Sequence, residues 1–133
     1  MTVLDEGLMA YLKATAGITA LVGARIYPLT LPEEPTLPAI VIQRISTPRT
    51  ITHDTSGATG DLISPRFQFD AWGTSQAATK AISDALRAAL NGKTGAAGGV
   101  TLRAALADEE VPDYNQETGL YRTRSDYIVW FQE

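Results

Sequence analysis

The sequence predicts an α+β domain whose mainly antiparallel sheet has about four strands, with two main helices packed on one face. Two segments place apolar residues at helical spacing, and others show the alternating or continuous apolar runs of strands. Neighbouring strands have connections compatible with hairpins, which favours antiparallel pairing. A length of 133 residues fits one compact unit, so residues 1–133 are assigned to a single domain.

The first predicted helix starts near Thr2, which can cap it, and ends at Gly17. Leu4, Leu8 and Leu12 recur on one face of this segment. A short helical turn, "ITALVG", follows it. The next stretch, "YPLTLPEEPTLP", is so rich in proline that we expect an extended connector.

Two strands and a second helix come next. "AIVIQRIS" (39–46) is an apolar, β-branched run typical of a buried strand, and "RFQFDAW" (66–72) alternates apolar with polar residues. Ser75 can cap the following helix, whose apolar stripe ends before Gly92.

The last third of the chain is predicted to hold two strands joined by an acidic loop. "VTLRAAL" (100–106) alternates, whereas "ADEEVPDYNQETG" is interpreted as a loop. Residues 120–133 form a long final strand, which at ~3.3 Å per residue would extend roughly 45 Å. That length exceeds what the core of a small domain needs, so we expect part of this strand to project or to pair with another subunit.

Composition excludes several classes of function. The formal net charge of −4 argues against general attraction to nucleic acid or to anionic membranes. The chain has no cysteine, which excludes disulfides, thiolate catalysis and cysteine-built zinc sites. Acidic residues stand where a signal peptide carries basic ones, and no apolar run approaches the roughly 20 residues that span a bilayer. We expect a protein made inside the cell and without a membrane anchor.

One loop resembles a catalytic site in its composition. "RTITHDTSGATG" (49–60) contains the only histidine, His53, followed by Asp54, Ser56 and Gly57. Side chains one to three positions apart in a loop rarely converge as a catalytic triad does, and the sequence has no G-x-S-x-G motif. A polar connecting loop is the favoured interpretation. A small hydrolase using His53 is the alternative from a different functional class.

Two other stretches resemble ligand sites only superficially. The acidic run around Asp108, Glu109 and Glu110 lacks the spacing of a calcium loop, and Pro112 interrupts it. "GKTG" (92–95) has the lysine and threonine of a phosphate loop, but it follows a helix and precedes a strand, which reverses the required context. We therefore predict no catalytic residue, metal site or cofactor.

The remaining candidates for binding are five arginines on predicted strands: Arg44, Arg66, Arg103, Arg122 and Arg124. Exposed arginines on a sheet can bind carboxylates or phosphates through two parallel hydrogen bonds. We favour cross-strand pairing with Asp70, Asp126 and similar carboxylates for most of them, with a DNA-facing role open for a minority. The late aromatic residues, among them Tyr127, are expected in the core or in a subunit interface.

Three segments, in their order and spacing, carry a family resemblance. They are "ITALVGARIYPLTLPEEPTLPAIVIQRIS", "SPRFQFDAWGTSQAATKAISDALRAAL" and "DYNQETGLYRTRSDYIVWFQE". Through them the chain resembles the tail-completion, or tail-terminator, proteins of long-tailed bacteriophages, prophages and gene transfer agents. The likeness extends along almost the whole length and rests on no single catalytic signature.

The resemblance implies a non-enzymatic virion assembly protein that is made in the host cytoplasm. Such subunits are expected to form a ring, usually a hexamer, at the head-proximal end of the tail tube. The ring would end tube polymerisation and join tail to head, with DNA passing through its lumen without sequence-specific binding. The expected partners are further copies, the tail tube protein and a head-completion or neck protein. A head-closure or other neck connector is the alternative within virion architecture.

On this hypothesis, the polar loop and the last strand supply contacts to neighbouring subunits or to the tube. The candidates for those contacts are His53, Asp54, Ser56, Gly57, Arg122, Arg124 and Tyr127. The candidates for facing the lumen or DNA are Arg44, Arg66 and Arg103.

Overall fold

Three helices and eight strands form the part of the chain that the computed structural model describes, residues 3–50 and 62–132. The helices are α1 (Val3–Lys13), α2 (Ala16–Val22) and α3 (Gln76–Leu90). The strands are β1 (Ile26–Pro28), β2 (Ala39–Ser46), β3 (Arg49–Thr50), β4 (Leu62–Ile63), β5 (Arg66–Gly73), β6 (Gly95–Ala97), β7 (Val100–Asn115) and β8 (Leu120–Gln132). The predicted α+β class is confirmed.

The central strand of the sheet is β8. It pairs with β7 along one side, and with β5 and then β4 along the other. Outward from β5 come β2 and then β1, while β6 adds to β7 and β3 adds to β4. In the described residues only the β1–β2 pair is parallel, which confirms the prediction of a mainly antiparallel sheet.

The helices cover one face of this sheet, and the apolar core lies between the two layers. Alternate residues of the strands point toward the helices and are buried, because side chains on a strand alternate between its faces. The largest side chains of this core include Leu4, Leu8 and Leu12 of α1, Ile82, Leu86 and Leu90 of α3, and Phe67 and Phe69 of β5. None of the helices in the described ranges is both long and apolar enough to cross a membrane.

Polar contacts fix α3 at its predicted position. Ser75 is the N-cap, and its Oγ accepts a hydrogen bond of 3.1 Å from the backbone N–H of Ala78. Further along the helix, the hydroxyls of Ser83 and Ser125 lie 3.0 Å apart and join α3 to β8. The start of the helix and its seat on the central strand are therefore set by hydroxyl groups as well as by apolar packing.

A close approach of two backbones seats α1 on the β6–β7 turn. Gly98 in that turn has a φ of 58°, and a Cβ added to it would lie 1.9 Å from the carbonyl oxygen of Gly7. A side chain at this position would therefore collide with backbone, which cannot move aside cheaply. Glycine at position 98 therefore allows α1 to pack directly against the β6–β7 turn.

The number of strands and the end of the first helix differ from the prediction. The four long strands β2, β5, β7 and β8 are those predicted, whereas the four short ones were missed because two or three residues show no periodicity. The first helix ends at Lys13 instead of Gly17, because Thr15 has an extended backbone and occupies the N-cap position of a separate helix, α2. Gly17 lies inside α2.

Most of the predicted acidic loop is strand. β7 continues to Asn115 and stays paired with β8 throughout, with irregularities in register near Arg103 and Asp108. Pairing with β8 outweighs the low strand propensity of its acidic residues. Pro112 lies in a part of β7 that has β8 as its only neighbouring strand, and edge strands are where proline is tolerated in a sheet.

The prediction that part of the last strand projects or pairs with another subunit is wrong for the described residues. β8 has partners within the chain on both sides, from Leu120 paired with Asn115 to Gln132 paired with Leu62. The long strand needs no second subunit because its hairpin partner β7 has 16 residues against the 13 of β8. Among the described strands, the free edges are those of β1, β3 and β6 and of the part of β7 that β6 does not cover.

Candidate functional site

The face of the sheet opposite the helices, here called the open face, carries most of the charged strand residues. The cross-strand register brings Asp70 beside Arg124, Gln68 beside Asp126, and Trp72 beside Arg122. These positions alternate with the buried apolar ones, so the same strands form both faces. We call Arg66, Asp70, Arg122, Arg124 and Asp126 the open-face network.

Arg66 is held by carboxylates from two neighbouring strands. Its Nε and Nη2 donate to Oδ2 of Asp126 at 3.2 and 3.0 Å. The same Nη2 also contacts the carboxylate of Asp108, and that of Glu109 lies 3.7 Å away. Asp108 and Asp126 raise the pKa of the Arg66 guanidinium, against the opposing effect of desolvation.

Arg122 is held from three directions. It donates to Oδ2 of Asp113 at 2.9 Å, lies 3.9 Å from Oδ2 of Asp70, and stacks 5.5 Å from the centre of the Trp72 ring. Arg124 is bound more weakly, with its Nε 3.8 Å from Oδ1 of Asp126. The predicted cross-strand pairing is confirmed for Arg122 with Asp70 and for Arg66 with Asp126, whereas Arg124 and Asp126 lie on the same strand, β8.

Two carboxylates of this network are buried although no helix covers the face. Asp70 is 6% exposed and lies 3.9 Å from Arg122, and Asp126 is 7% exposed and lies 3.0 Å from Arg66. Desolvation raises the pKa of the Asp70 carboxyl, while the hydrogen bond from Gln68 and the charges of Arg122 and Arg124 act in the opposite direction. Ionised Asp70 therefore sits in an environment that disfavours its charge.

The network is acidic and incompletely satisfied. With Asp108, Glu109 and Asp113 it brings five carboxylates to three arginines. Nε of Arg122, Nε of Arg124 and Oδ1 of Asp126 are buried without a hydrogen-bond partner in the described part of the chain. Each of these atoms can form one further hydrogen bond with water or with a bound partner.

The other predicted contact residues are scattered. Tyr127 is 2% exposed and packs edge-on against Phe69, and burial raises the pKa of its hydroxyl to about 12. It belongs to the core and offers no surface to a neighbouring subunit. His53, Asp54, Ser56 and Gly57 lie outside the described residues.

The three arginines predicted to face the lumen have different surroundings. Arg44 points to the helix side, where its Nε donates to Asp5 at 3.1 Å and its guanidinium lies 5.3 Å from the Phe67 ring centre. Arg66 belongs to the open-face network. Arg103 is exposed in the irregular part of β7 and is the most accessible of the three.

A groove runs between α3 and β7, on the helix side of the sheet. It has a volume of about 510 Å³ and is lined by Gln76, Ala77, Lys80, Glu110, Pro112 and Thr123. Its wall combines one lysine and one glutamate with small or apolar groups, and it gathers no nucleophile, base and orienting group as catalysis requires. Among residues 3–50 and 62–132, no three side chains are placed to hold a metal ion.

Exposed apolar residues are the features that the sequence reasoning missed. Leu29 is 73% exposed, Leu106 is 48% exposed and Ile45 is 46% exposed. Leu106 alternates with Leu102 and Ala104 in the sequence, a pattern that predicts one common face for the three side chains. The missing information was the register of β7, whose irregularity near Arg103 turns Leu106 to the open face.

Comparison with known proteins gives the context for these surfaces. A family model described as "Tail completion protein gp17" matches residues 6–132. The chain belongs to this family. A tail completion protein is a structural component of a phage tail, and the class is not enzymatic.

A solved structure supports the fold of this tail completion protein. A chain of the structure titled "Virion of native gene transfer agent (GTA) particle" aligns with a TM-score of 0.66 at 17% sequence identity, covering 100% of both chains. At that identity the likeness concerns the fold alone. No curated protein matches the chain at a significant level.

Proposed function

We propose that this tail completion protein forms a ring, expected to be a hexamer, at the head-proximal end of the tail tube. The ring ends tube polymerisation and provides the surface that joins the tail to the head. The match to the tail completion family over residues 6–132 is the observation that carries the proposal. The partners would be further copies of the chain, the tail tube protein and a head-completion or neck protein.

The arrangement of charges on the open face supports a role that leaves DNA free to pass. Carboxylates already hold Arg66 and Arg122, and the face as a whole has more acids than arginines. The described part of the open face therefore has no cluster of free arginines that could bind DNA phosphates. We therefore propose that DNA passes through the ring without being bound to these arginines.

Deletion of the gene in cells that produce the particles tests the proposal. The expected result is overlong tails and tails without heads in negative-stain electron micrographs. Complementation with the unaltered gene is the control and should restore both tail length and joining. Tails of normal length attached to heads would overturn the proposal, and tails of normal length without heads would favour a neck connector instead.

A substitution at His53 tests the non-enzymatic part of the proposal. His53→Ala should still give joined particles, because the residue has no proposed chemical step. The number of infectious or transducing particles, compared with the unaltered protein, is the measurement. Complete loss of particle function, with assembly intact, would reopen the hydrolase alternative.

A further inference from the structure

An exposed leucine stands in a backbone conformation that disfavours it. Leu29 follows β1 and has a φ of 67°, in the left-handed region that bulky residues rarely adopt. Its N–H donates to the carbonyl oxygen of Ile42 at 2.9 Å, which holds the backbone in place. The side chain nevertheless remains 73% exposed. Backbone strain that displays an apolar side chain to solvent is typical of a contact site.

Two glutamates accompany this leucine in the connector between β1 and β2. Glu33 and Glu34 are both exposed, and Glu34 also has a positive φ, of 49°. In the described part of the chain neither carboxylate has an ion pair or a hydrogen bond. We call Leu29, Glu33 and Glu34 the connector knob. In the connector knob, Leu29 provides an exposed apolar side chain, and Glu33 and Glu34 provide negative charge.

The open face carries an apolar patch beside an exposed arginine, which complements the leucine and the two glutamates of the connector knob. Leu106 lies opposite Ile128 and Ala104 lies opposite Trp130 in the β7–β8 register, and none of these four residues belongs to the core cluster. We call Leu106, Ile128 and Trp130 the apolar patch. Arg103 is exposed beside Ala104 and has no carboxylate partner among the described residues.

The connector knob and the apolar patch lie on different parts of one sheet. The knob follows β1, whereas the patch lies on β8 and β7, with β2 and β5 between them. At about 4.8 Å between strands, the two sites are separated by roughly 15 to 20 Å across the sheet. They are therefore placed to bind different copies instead of each other.

We propose that the connector knob of one copy binds the apolar patch of the next, with Leu29 against Leu106 and Trp130, and with Glu33 or Glu34 paired to Arg103. Two different surfaces that bind head to tail form a heterologous interface, which generates a ring when the rotation closes. The inference rests on the proposed ring and names the contact that would build it.

Engineered cysteines test this contact directly, because the chain has no cysteine of its own. The variant carrying Leu29→Cys and Leu106→Cys should form disulfides between copies when a mild oxidant such as diamide is added. A ladder of cross-linked multimers on a non-reducing gel is the expected result. Leu29→Cys combined with Ala81→Cys, on the exposed side of α3, is the matched control. The proposed pair should cross-link about tenfold faster, because a disulfide requires close Cβ atoms.

A charge exchange tests the polar half of the contact. Arg103→Glu should reduce the cross-linking rate of the Leu29→Cys, Leu106→Cys variant about tenfold, because it places like charges together. Adding Glu33→Arg and Glu34→Arg should restore most of the rate. Equal rates for the proposed and control cysteine pairs, or no effect of either charge change, would overturn the inference.

Leu29→Gly separates a contact role from a structural one. Glycine adopts a positive φ without strain, so the melting temperature should stay the same or rise. Loss of the apolar tip should at the same time reduce ring assembly in producing cells. A lower melting temperature with unchanged assembly would make Leu29 a structural residue and would contradict the proposal.

Electron microscopy of the same particles distinguishes failure of the interface from failure of the ring. Rings at the end of the tails, without cross-links between the engineered cysteines, would retain the proposed function and reject this interface. Neither rings nor cross-links would reject both.

Discussion

The same strands form an apolar layer on one face of the sheet and a network of ion pairs on the other. On the helix side, Phe67, Phe69 and Tyr127 pack in an apolar layer that excludes water. On the open face, their sequence neighbours Asp70 and Asp126 join arginines across the strands. The difference follows from the two-residue repeat of a strand, which sends adjacent side chains to opposite sides.

This comparison separates what holds the domain together from what it can offer to a partner. Apolar burial on the helix side scales with area and needs no particular partner. The open face depends on individual ion pairs, and it keeps buried polar atoms that still lack a hydrogen bond in the described residues. We therefore expect substitutions on the helix side to affect stability most, and those on the open face to affect stability less.

The largest expected effect is that of Phe69→Ala on the helix side. Phe69 is fully buried and its ring centre lies 5.5 Å from that of Tyr127. Removing the ring should lower the free energy of unfolding by about 3–5 kcal/mol. Urea denaturation followed by circular dichroism measures the change. Trp72→Ala on the open face is the control, and an equal loss there would break the comparison between the faces.

A smaller loss is expected for Asp126→Ala on the open face. The substitution removes both hydrogen bonds that Arg66 donates to Asp126. The carboxylates of Asp108 and Glu109 then remain as the partners of the Arg66 guanidinium. The free energy of unfolding should fall by about 1–3 kcal/mol, since the arginine remains partly solvated. A double-mutant cycle with Arg66→Met measures how much of this loss belongs to the pair. Additive single and double changes would show that the two side chains do not interact.

The cap that positions α3 over the helix side should matter about as much as one open-face contact. Ser75→Ala removes the acceptor for the N–H of Ala78 and should lower the free energy of unfolding by about 1 kcal/mol. Ser75→Asp provides another acceptor and should retain nearly all of the stability. Chemical denaturation of the three proteins side by side is the measurement. Equal stability of Ser75→Ala and the unaltered protein would show that the cap does not stabilise α3.

The smallest expected effect is a change in pH dependence at Asp70. Burial raises the pKa of its carboxyl above the ordinary value of 3.8, so the ionised form costs stability at neutral pH. This cost is relieved as the pH falls through the raised pKa toward 3.8. The unaltered protein should therefore gain stability relative to Asp70→Asn as the pH is lowered over that range.

Asp84 supplies a control of opposite sign. Its exposed carboxylate beside Lys80 has a lowered pKa, so its contribution is present above the ordinary pKa and is lost as the pH falls below it. The stability difference between Asp84→Asn and the unaltered protein should therefore change in the other direction, and added salt should weaken it. The same slope for both variants would contradict the assignment at Asp70.

The sequence by itself determined the elements with strong periodicity. Residues 39–46 form β2 as predicted, Arg66 begins β5, and Ser75 caps α3, because each depends on local pattern or local hydrogen bonding. The pairing of arginines with Asp70 and Asp126 was also predictable, since the charges alternate with apolar residues on paired strands. The resemblance carried by three segments likewise led to the family that the comparison shows.

Only the tertiary structure decided how the acidic residues 107–115 are used. Their composition is typical of a loop, but an available edge of β8 converts them into strand and brings Asp113 to Arg122. Register irregularities near Arg103 and Asp108 then select which side chains face outward. Such pairings join residues distant in sequence, so no local pattern encodes them. The exposure of Leu106 and the burial of Tyr127 were fixed in the same way, by the neighbours that the fold brings to each side chain.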